Sequence, residues 1–294
     1  MIASKTMYSR YFGEYKLSTE ELEHLHKILL KMLLDIDEVC KKNNIEYMLS
    51  GGTALGAVRH EGFIPWDDDI DLMMTRENYM KLVKCFDRGL NGKYILAEPL
   101  YPDYFFKQPK IYLKDSVYVE IPWEGIKKYE MIFIDIFIIE YVPDSKWKQK
   151  IISKIYDFSY KASSLCIDYL YPSQPILEKS KVEKEVNNYY KFRRGLGHIF
   201  SVIGGIHLYL IITENISKKY SKTNSMGIPS GISYCREILP AEVYLKTTTV
   251  SFEGYEFKIP QNYQKYLENL YGKNYMEIPP QNKREIHVAY RRNL

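Results

Sequence analysis

Cysteine is scarce and unpatterned: Cys40, Cys85, Cys166 and Cys235 are spread through 294 residues with no C-x-x-C pair. That excludes a disulfide-stapled scaffold, and favours reduced cytosolic thiols over a lone disulfide or a scattered zinc site. Long apolar runs are missing as well. The longest, residues 199–212, holds about 14 residues and is interrupted by His207, too short to cross a bilayer. It reads as a buried helix, with a role at a membrane surface as the alternative. The first 18 residues lack the apolar stretch of a secretory signal, so a cytoplasmic location is expected. Charge of one sign is also lacking: 41 Lys and Arg against 37 Asp and Glu leave +4, which calls for no nucleic-acid partner. Internal repeats and low-complexity tracts are absent. With 46% hydrophobic and 27% charged residues, the composition is that of a folded chain of one large or two modest domains. The surplus is tyrosine, 28 against 12 Phe and 3 Trp, a side chain whose polar tip suits wet pockets and interfaces.

Ser18-Thr19-Glu20-Glu21 is a capping box, and the apolar residues from Leu22 onward keep a helical period until Lys41-Lys42-Asn43-Asn44 stops it. Residues 45–49 then read as a strand ending at Ser50-Gly51-Gly52, with a short helix over 53–58. Residues 69–74 alternate as a second strand, before a helix over 76–86. Further strands are expected at 94–97, 105–113, 117–121 and 131–139, and helices at 146–170, 177–190 and 198–220. Arg193-Arg194-Gly195 is the expected break between the last two. A hairpin about Glu253-Gly254 and a helix over 261–270 close the chain. The pattern predicts an α+β fold. Its mixed-sheet core spans residues 1–143, a helical subdomain 144–245, and a β/α segment that packs back on the core 246–294.

Chemistry concentrates in Pro65-Trp66-Asp67-Asp68-Asp69-Ile70-Asp71-Leu72. Four carboxylates in five residues repel one another unless solvated or neutralised by a cation. On a strand, Asp69 and Asp71 share one face and Ile70 and Leu72 the other, which argues for a partly buried site rather than a solvated acidic loop. Such oxygen donors suit a hard divalent ion. An EF-hand is excluded, because Leu72 stands where its loop needs Gly and Asn78 where it needs Glu. Upstream, Gly51 and Gly52 between a strand and a helix let backbone amides approach a phosphate. Neither the Walker nor the dinucleotide spacing is present. Asp135 lies inside the apolar run Met131-Ile132-Phe133-Ile134-Asp135-Ile136-Phe137, where a carboxylate is costly unless paired, protonated or bound to metal. Three carboxylates, a phosphate-binding turn and nearby cations are the inventory of a phosphoryl-transfer site. The candidate cations are Arg59, Lys107 and Lys110. On a regular strand the spacing of the two lysines sends only one of them to the site.

These residues resemble the LicD family. The match runs through Gly51-Gly52-Thr53-Ala54-Leu55-Gly56-Ala57-Val58-Arg59-His60-Glu61-Gly62-Phe63-Ile64-Pro65-Trp66-Asp67-Asp68-Asp69-Ile70-Asp71 and Phe133-Ile134-Asp135-Ile136-Phe137. It reappears at Phe252-Glu253-Gly254, Ile259-Pro260, Tyr271-Gly272-Lys273-Asn274-Tyr275, Lys283-Arg284 and His287, while about 145–245 offers little to match. The resemblance implies a nucleotidyltransferase-like mixed-sheet core related to the fukutin-type proteins. It also implies a phosphotransferase that passes phosphocholine from CDP-choline to a hydroxyl of a teichoic acid or lipopolysaccharide-type precursor, releasing CMP. In that reading Asp69, Asp71 and Asp135 are catalytic and hold Mg²⁺ or Mn²⁺, and Gly51, Gly52 and Thr53 meet the donor phosphates. Arg59 and Lys110 are candidate substrate-binding cations, and His287 either binds phosphate or caps the fold. A quaternary ammonium accepts and donates no conventional hydrogen bond, so its pocket should be aromatic, with Trp66 and Trp123 as candidates. The alternatives are another CDP-linked donor, such as a polyol phosphate, or a non-catalytic nucleotide-binding protein at the membrane. The acceptor is a glycan or lipid-linked glycan, with peripheral contact to the inner face of the plasma membrane.

Overall fold

The computed structural model describes residues 4–90, 92–284 and 288–293. Helices α1 (Ser4–Tyr11) and α2 (Thr19–Lys42) precede β1 (Met48–Leu49), α3 (Gly51–His60), β2 (Asp71–Thr75) and α4 (Arg76–Gly89). Strands β3 (Tyr94–Ala97), β4 (Lys110–Leu113), β5 (Val117–Glu120) and β6 (Phe133–Val142) follow. The helical part is α5 (Lys146–Leu170), α6 (Gln174–Val182), α7 (Lys184–Ile203) and α8 (Gly205–Ser217). The chain ends with β7 (Ser225–Gly227), β8 (Leu239–Pro240), α9 (Ala241–Leu245), β9 (Thr247–Phe252), β10 (Tyr255–Pro260), α10 (Tyr263–Tyr271) and β11 (Ala289–Asn293). This is an α+β fold around a mixed sheet.

The capping box forms in both directions: the Glu21 amide donates to Ser18 Oγ, and the Ser18 amide to Glu21 Oε2 at 2.8 Å. Arg292 of β11 grips the same carboxylate through two nitrogens, at 2.8 and 3.0 Å. Arg292 and the Ser18 amide hold the Glu21 carboxyl down at about 2. The contact therefore stabilises the fold above the usual carboxylate range and is lost as pH falls toward 2. The apolar face of α2 (Leu25, Leu29, Met32, Leu33, Ile36) packs in one cluster with Leu72, Ile134 and Ile136 of the sheet. Each such side chain contributes roughly 1.5–3 kcal/mol when fully buried.

The sheet runs β1-β2-β6-β4-β3, and the far end of β6 pairs with β7, which pairs with β8. Among the described residues only β2 and β6 pair in parallel. Register sets Asp71 beside Asp135 and Asp135 beside Lys110, a charged row across three strands. Strand β5 pairs with β11, tying the end of the chain to its first half. At the tip of the β9–β10 hairpin, the Glu253 carboxylate accepts from the Phe63 amide at 3.0 Å and the Glu253 amide donates to Glu61 O.

Several expectations change. The helix expected over 177–190 is two, α6 and α7, parted at Glu183 where the backbone is extended, and the strand expected over 45–49 is only β1. The strand over 105–113 is only β4, because residues 104–109 turn irregularly before it. Arg193-Arg194-Gly195 does not break a helix but lies inside α7. There Arg193 pairs with Asp168 of α5, and Gly197 approaches α5 so closely that a Cβ would sit 2.0 Å from Leu165 O. The helix expected over 198–220 is instead two, α7 and α8, bent by 78° at Gly204–Gly205, where Gly205 takes φ +69°.

Candidate active site

The parallel pair β2–β6 begins where the acidic loop ends, so Asp71 opens β2 beside Asp135. Asp69 lies just before the strand rather than in it. Carboxylate oxygens of Asp69, Asp71 and Asp135 nevertheless converge to within 4.8 Å of one another, as do those of Asp67, Asp68 and Asp69. Enclosure and the neighbouring charges of Asp69, Asp135 and Asp67 push the Asp71 carboxyl well above its ordinary range, against the pull of Lys110. A buried cluster of this kind is stable only with protons or a cation among its oxygens. An all-oxygen anionic donor set at this spacing fits Mg²⁺ or Mn²⁺.

Asp135 is clamped on both oxygens, by Gln108 Nε2 at 3.2 Å and by Lys110 Nζ at 2.9–3.0 Å. The buried Lys110 ammonium also lies 3.3 Å from the Phe133 ring centroid. Lys110 thus stands behind the carboxylates, on the opposite side from the main cavity.

That cavity, about 610 Å³, is lined by Gly51, Gly52, Arg59, Trp66, Asp67, Asp69 and Asp71 on one side. Lys107, Gln108, Tyr160, Glu237, Tyr271 and Arg284 line another. The first turn of α3 reaches it with its positive end. Gly51 adopts φ +49°, and its amide donates to the Tyr266 hydroxyl at 3.1 Å. Thr53 is buried and its hydroxyl accepts from the Asp71 amide at 2.8 Å. Thr53 therefore braces the strand that carries Asp71 and does not line the cavity. Arg59 ties the tail down through the carbonyls of Tyr275 (3.0 Å) and Glu277 (3.2 Å). Trp66 carries a guanidinium on its ring, Arg284 at 4.1 Å from the centroid, with Arg59 at 5.9 Å. His287 lies outside the described residues.

Lys107 enters the site although Lys110 does too, because it precedes β4 and the strand alternation does not govern it. Its Nζ donates to Gly231 O at 2.5 Å and sits 4.2 Å from the Tyr160 ring centroid. Burial lowers its ammonium to about 8 against the opposing pull of Asp157 and Glu237. Burial raises Glu237 to about 7 although Lys107 opposes it.

Behind the carboxylates lies a pouch of about 170 Å³, walled by Phe106, Lys110, Tyr118, Trp123, Phe133 and Tyr160 and sharing Asp69 and Asp135 with the Asp69–Asp71–Asp135 cluster. Tyr118 donates to Asp68 at its edge. A larger cavity, about 820 Å³, opens at the opposite ends of β2 and β6. Most of its charged side chains pair with one another (Arg76 with Glu140, Lys41 with Asp37, Lys81 with Glu77, Lys258 with Glu46), and among the described residues it presents no carboxylate cluster comparable to the first.

Comparison with known proteins agrees with this geometry. Residues 44–176 match the LicD/FKTN/FKRP nucleotidyltransferase-domain family. The chain carries a LicD-family domain. It is also 27% identical over 270 residues to the lipopolysaccharide cholinephosphotransferase LicD of Haemophilus influenzae, covering 88% of this chain and 93% of that protein. Shorter matches join it to two uncharacterised rickettsial proteins. One, from Rickettsia prowazekii, is 46% identical over 54 residues, 18% of this chain and 20% of its own length. The other, from Rickettsia typhi, is 48% identical over 50 residues, 17% of this chain and 16% of its own length.

The LicD-family segment contains α3, the acidic loop, Asp135, Lys107, Lys110 and Tyr160. Glu237, Tyr266, Tyr271 and Arg284 come from beyond it. Of these, Tyr271 and Arg284 fall in stretches that the resemblance had marked. Tyr160 and Glu237 had no such signal: each is a single polar residue in a segment with no motif, brought to the site by α5 and by the loop before β8.

Proposed function

We propose that this protein is a metal-dependent phosphotransferase that moves phosphocholine from CDP-choline to a hydroxyl of a bacterial surface-glycan precursor of the lipopolysaccharide type, releasing CMP. The observation that carries the reading is the Asp69–Asp71–Asp135 cluster, two of whose carboxylates, Asp69 and Asp71, line a cavity whose other edge is the α3 N-terminus. Its near full-length likeness to a cholinephosphotransferase supports the choice of substrate. Four free cysteines fit a reducing, cytoplasmic compartment.

Asp69, Asp71 and Asp135 would hold the divalent ion, which supplies charge neutralisation at the transferring phosphoryl group. The α3 amides and Lys107 orient the donor diphosphate. The acceptor oxygen attacks the choline-linked phosphorus in line, and the bond to the CMP oxygen breaks with its electron pair leaving on CMP. The acceptor proton passes to a carboxylate of the cluster. Asp135 is the poorest recipient, because Gln108 and Lys110 occupy both of its oxygens.

The pouch bears on the headgroup. Trp66 already carries guanidinium groups, which would repel a second cation. In the pouch Lys110 already sits over the Phe133 and Phe106 rings and Lys107 over that of Tyr160, so Trp123 and Tyr118, beside Asp68, Asp69 and Glu120, are the ring faces offered to a quaternary ammonium. Trp123→Ala should therefore raise the KM for CDP-choline about tenfold or more, since one desolvated cation–π contact is worth up to about 2 kcal/mol. Turnover of CDP-ribitol, which carries no ammonium, should be unmoved. The decisive assay is CMP release by the purified protein with each donor, with Mg²⁺ and with a chelator. Vigorous turnover of CDP-ribitol alone would assign a polyol-phosphate donor, and no metal-dependent release from either would leave a binding protein.

Lys107 sets a pH limb. Protonated below about 8, it presents a cation to the donor phosphates, and neutral above, it does not. The KM for the donor should rise above pH 8 toward tenfold per pH unit, with kcat little changed, because the loss belongs to the free enzyme. Lys107→Arg, charged throughout, should flatten the limb in a KM profile between pH 7 and 9.5.

A further inference from the structure

Helix α5 buries Gln149, Tyr156, Ser159, Ala162, Ser163, Cys166 and Ile167 against the molecule. On its opposite side stand Trp147 (70% exposed), Ile151 (40%), Ile155 (49%) and Phe158 (54%). Spaced four, four and three apart, they fall within about 80° of arc on the outer face. Lys148 flanks this stripe on one side and Lys150, Lys154 and Lys161 on the other, all exposed. The acidic residues of α5 are withdrawn from it: half-buried Asp157 accepts from Ser153 and the Tyr234 amide, and Asp168 pairs with Arg193.

The stripe does not end with α5. Phe158 meets Phe200 of α7 at 5.7 Å, and next to Phe200 the α7–α8 elbow exposes Ile199, Val202 (77%), Ile203 (66%) and Leu208. Among the described residues no single helix is long and apolar enough to cross a membrane. Large contiguous apolar surface rimmed by lysine is instead the pattern of a surface that lies on a bilayer.

We propose that the outer face of α5 and the α7–α8 elbow form a docking surface for an anionic lipid bilayer. Trp147 and Ile203 enter the interface and the α5 lysines meet acidic headgroups. The rim chooses this occupant over a second copy of the chain, since two lysine-rimmed faces repel each other. Tyr160, on the inner side of the same helix, lines the active-site cavity, so docking would set the lipid surface about one helix diameter, ~10–12 Å, from the reaction. That distance suits an acceptor anchored in the bilayer. The proposal itself rests on the surface and not on the identity of the donor.

The test is co-sedimentation of the full chain with vesicles of phosphatidylcholine and of equimolar phosphatidylcholine and phosphatidylglycerol, with light scattering of the free protein in parallel. The expected result is at least tenfold stronger binding to the acidic vesicles, weakened by salt, with a blue shift of tryptophan emission that Trp147→Phe removes. Trp147→Ser/Ile151→Ser/Ile155→Ser and, separately, Lys148→Glu/Lys154→Glu should each cut acidic-vesicle binding at least tenfold, while CMP release from soluble substrates stays at the wild-type rate. Absence of wild-type binding to both vesicles would overturn the proposal. So would a dimer in light scattering that the triple variant dissociates, because the face would then be an interface between copies.

Discussion

Asp71→Asn should lower metal-dependent CMP release by at least about a thousandfold, yet leave the metal-free protein as stable as the wild type or more so. The two halves have one cause. Asp71 shares a space within 4.8 Å with Asp69 and Asp135, and enclosure plus their charge drives its carboxyl well above the ordinary range. Without a cation, an ionised Asp71 opposes folding, and an amide of the same shape removes that repulsion. In the proposed metal site the same carboxylate would be a ligand, and its loss should remove several kcal/mol of charge stabilisation at the transferring phosphoryl group. Thermal unfolding with and without Mg²⁺ separates the effects. A cation at about a hundred times its dissociation constant should stabilise the wild type by roughly 2.7 kcal/mol and the variant far less. Equal Mg²⁺ stabilisation of both proteins, or activity within tenfold of wild type, would remove Asp71 from the metal site.

How much of this site can be read before folding depends on the range of the interaction that builds it. The acidic loop is local: four carboxylates beside Ile70 and Leu72 announce a site that needs a cation, and Asp135 in an apolar strand announces a partner. The Asp71–Asp135–Lys110 row is not local, because it depends on the register of β2 on β6 and of β6 on β4. Strand alternation cannot supply that register, and it misjudged the two lysines by extending β4 back over Lys107. Helix α2 was legible to its last residue, since a capping box and a sustained apolar period act within a few turns. The α7–α8 elbow was not. Two adjacent glycines make the bend, while the more polar Arg193-Arg194-Gly195 stays helical because Arg193 has a partner on α5. Tyrosine misled by its chemistry. Tyr79, Tyr104, Tyr244 and Tyr266 are fully buried, and each satisfies its hydroxyl inside, on Glu98, Gln108 O, Glu237 O and Ser50 respectively. A residue suited to wet pockets here serves as core wherever a nearby acceptor replaces water.

Gly51→Ala should cost about a hundredfold in transfer rate and roughly 1–2 kcal/mol in stability, by two independent physical routes. The backbone at Gly51 holds φ +49°, a left-handed conformation that a Cβ penalises by roughly 1–2 kcal/mol. That Cβ would also stand 2.6 Å from Asp71 Oδ2, so the carboxylate must turn out of the cluster it shares with Asp69 and Asp135. A hundredfold in rate corresponds to about 2.7 kcal/mol of transition-state stabilisation, the scale of one misplaced ligand. Gly52→Ala is the matched control. Its Cβ would come equally close to a carboxylate, 2.6 Å, but to Asp67 Oδ2, and its backbone is not left-handed. If Asp67 only surrounds the metal site, Gly52→Ala should lose less than tenfold in rate and keep the Mg²⁺-dependent thermal shift. A loss matching that of Gly51→Ala would instead make Asp67 a ligand. The two alanines, one residue apart on the same turn, thus report separately on two carboxylates that sequence alone could not rank.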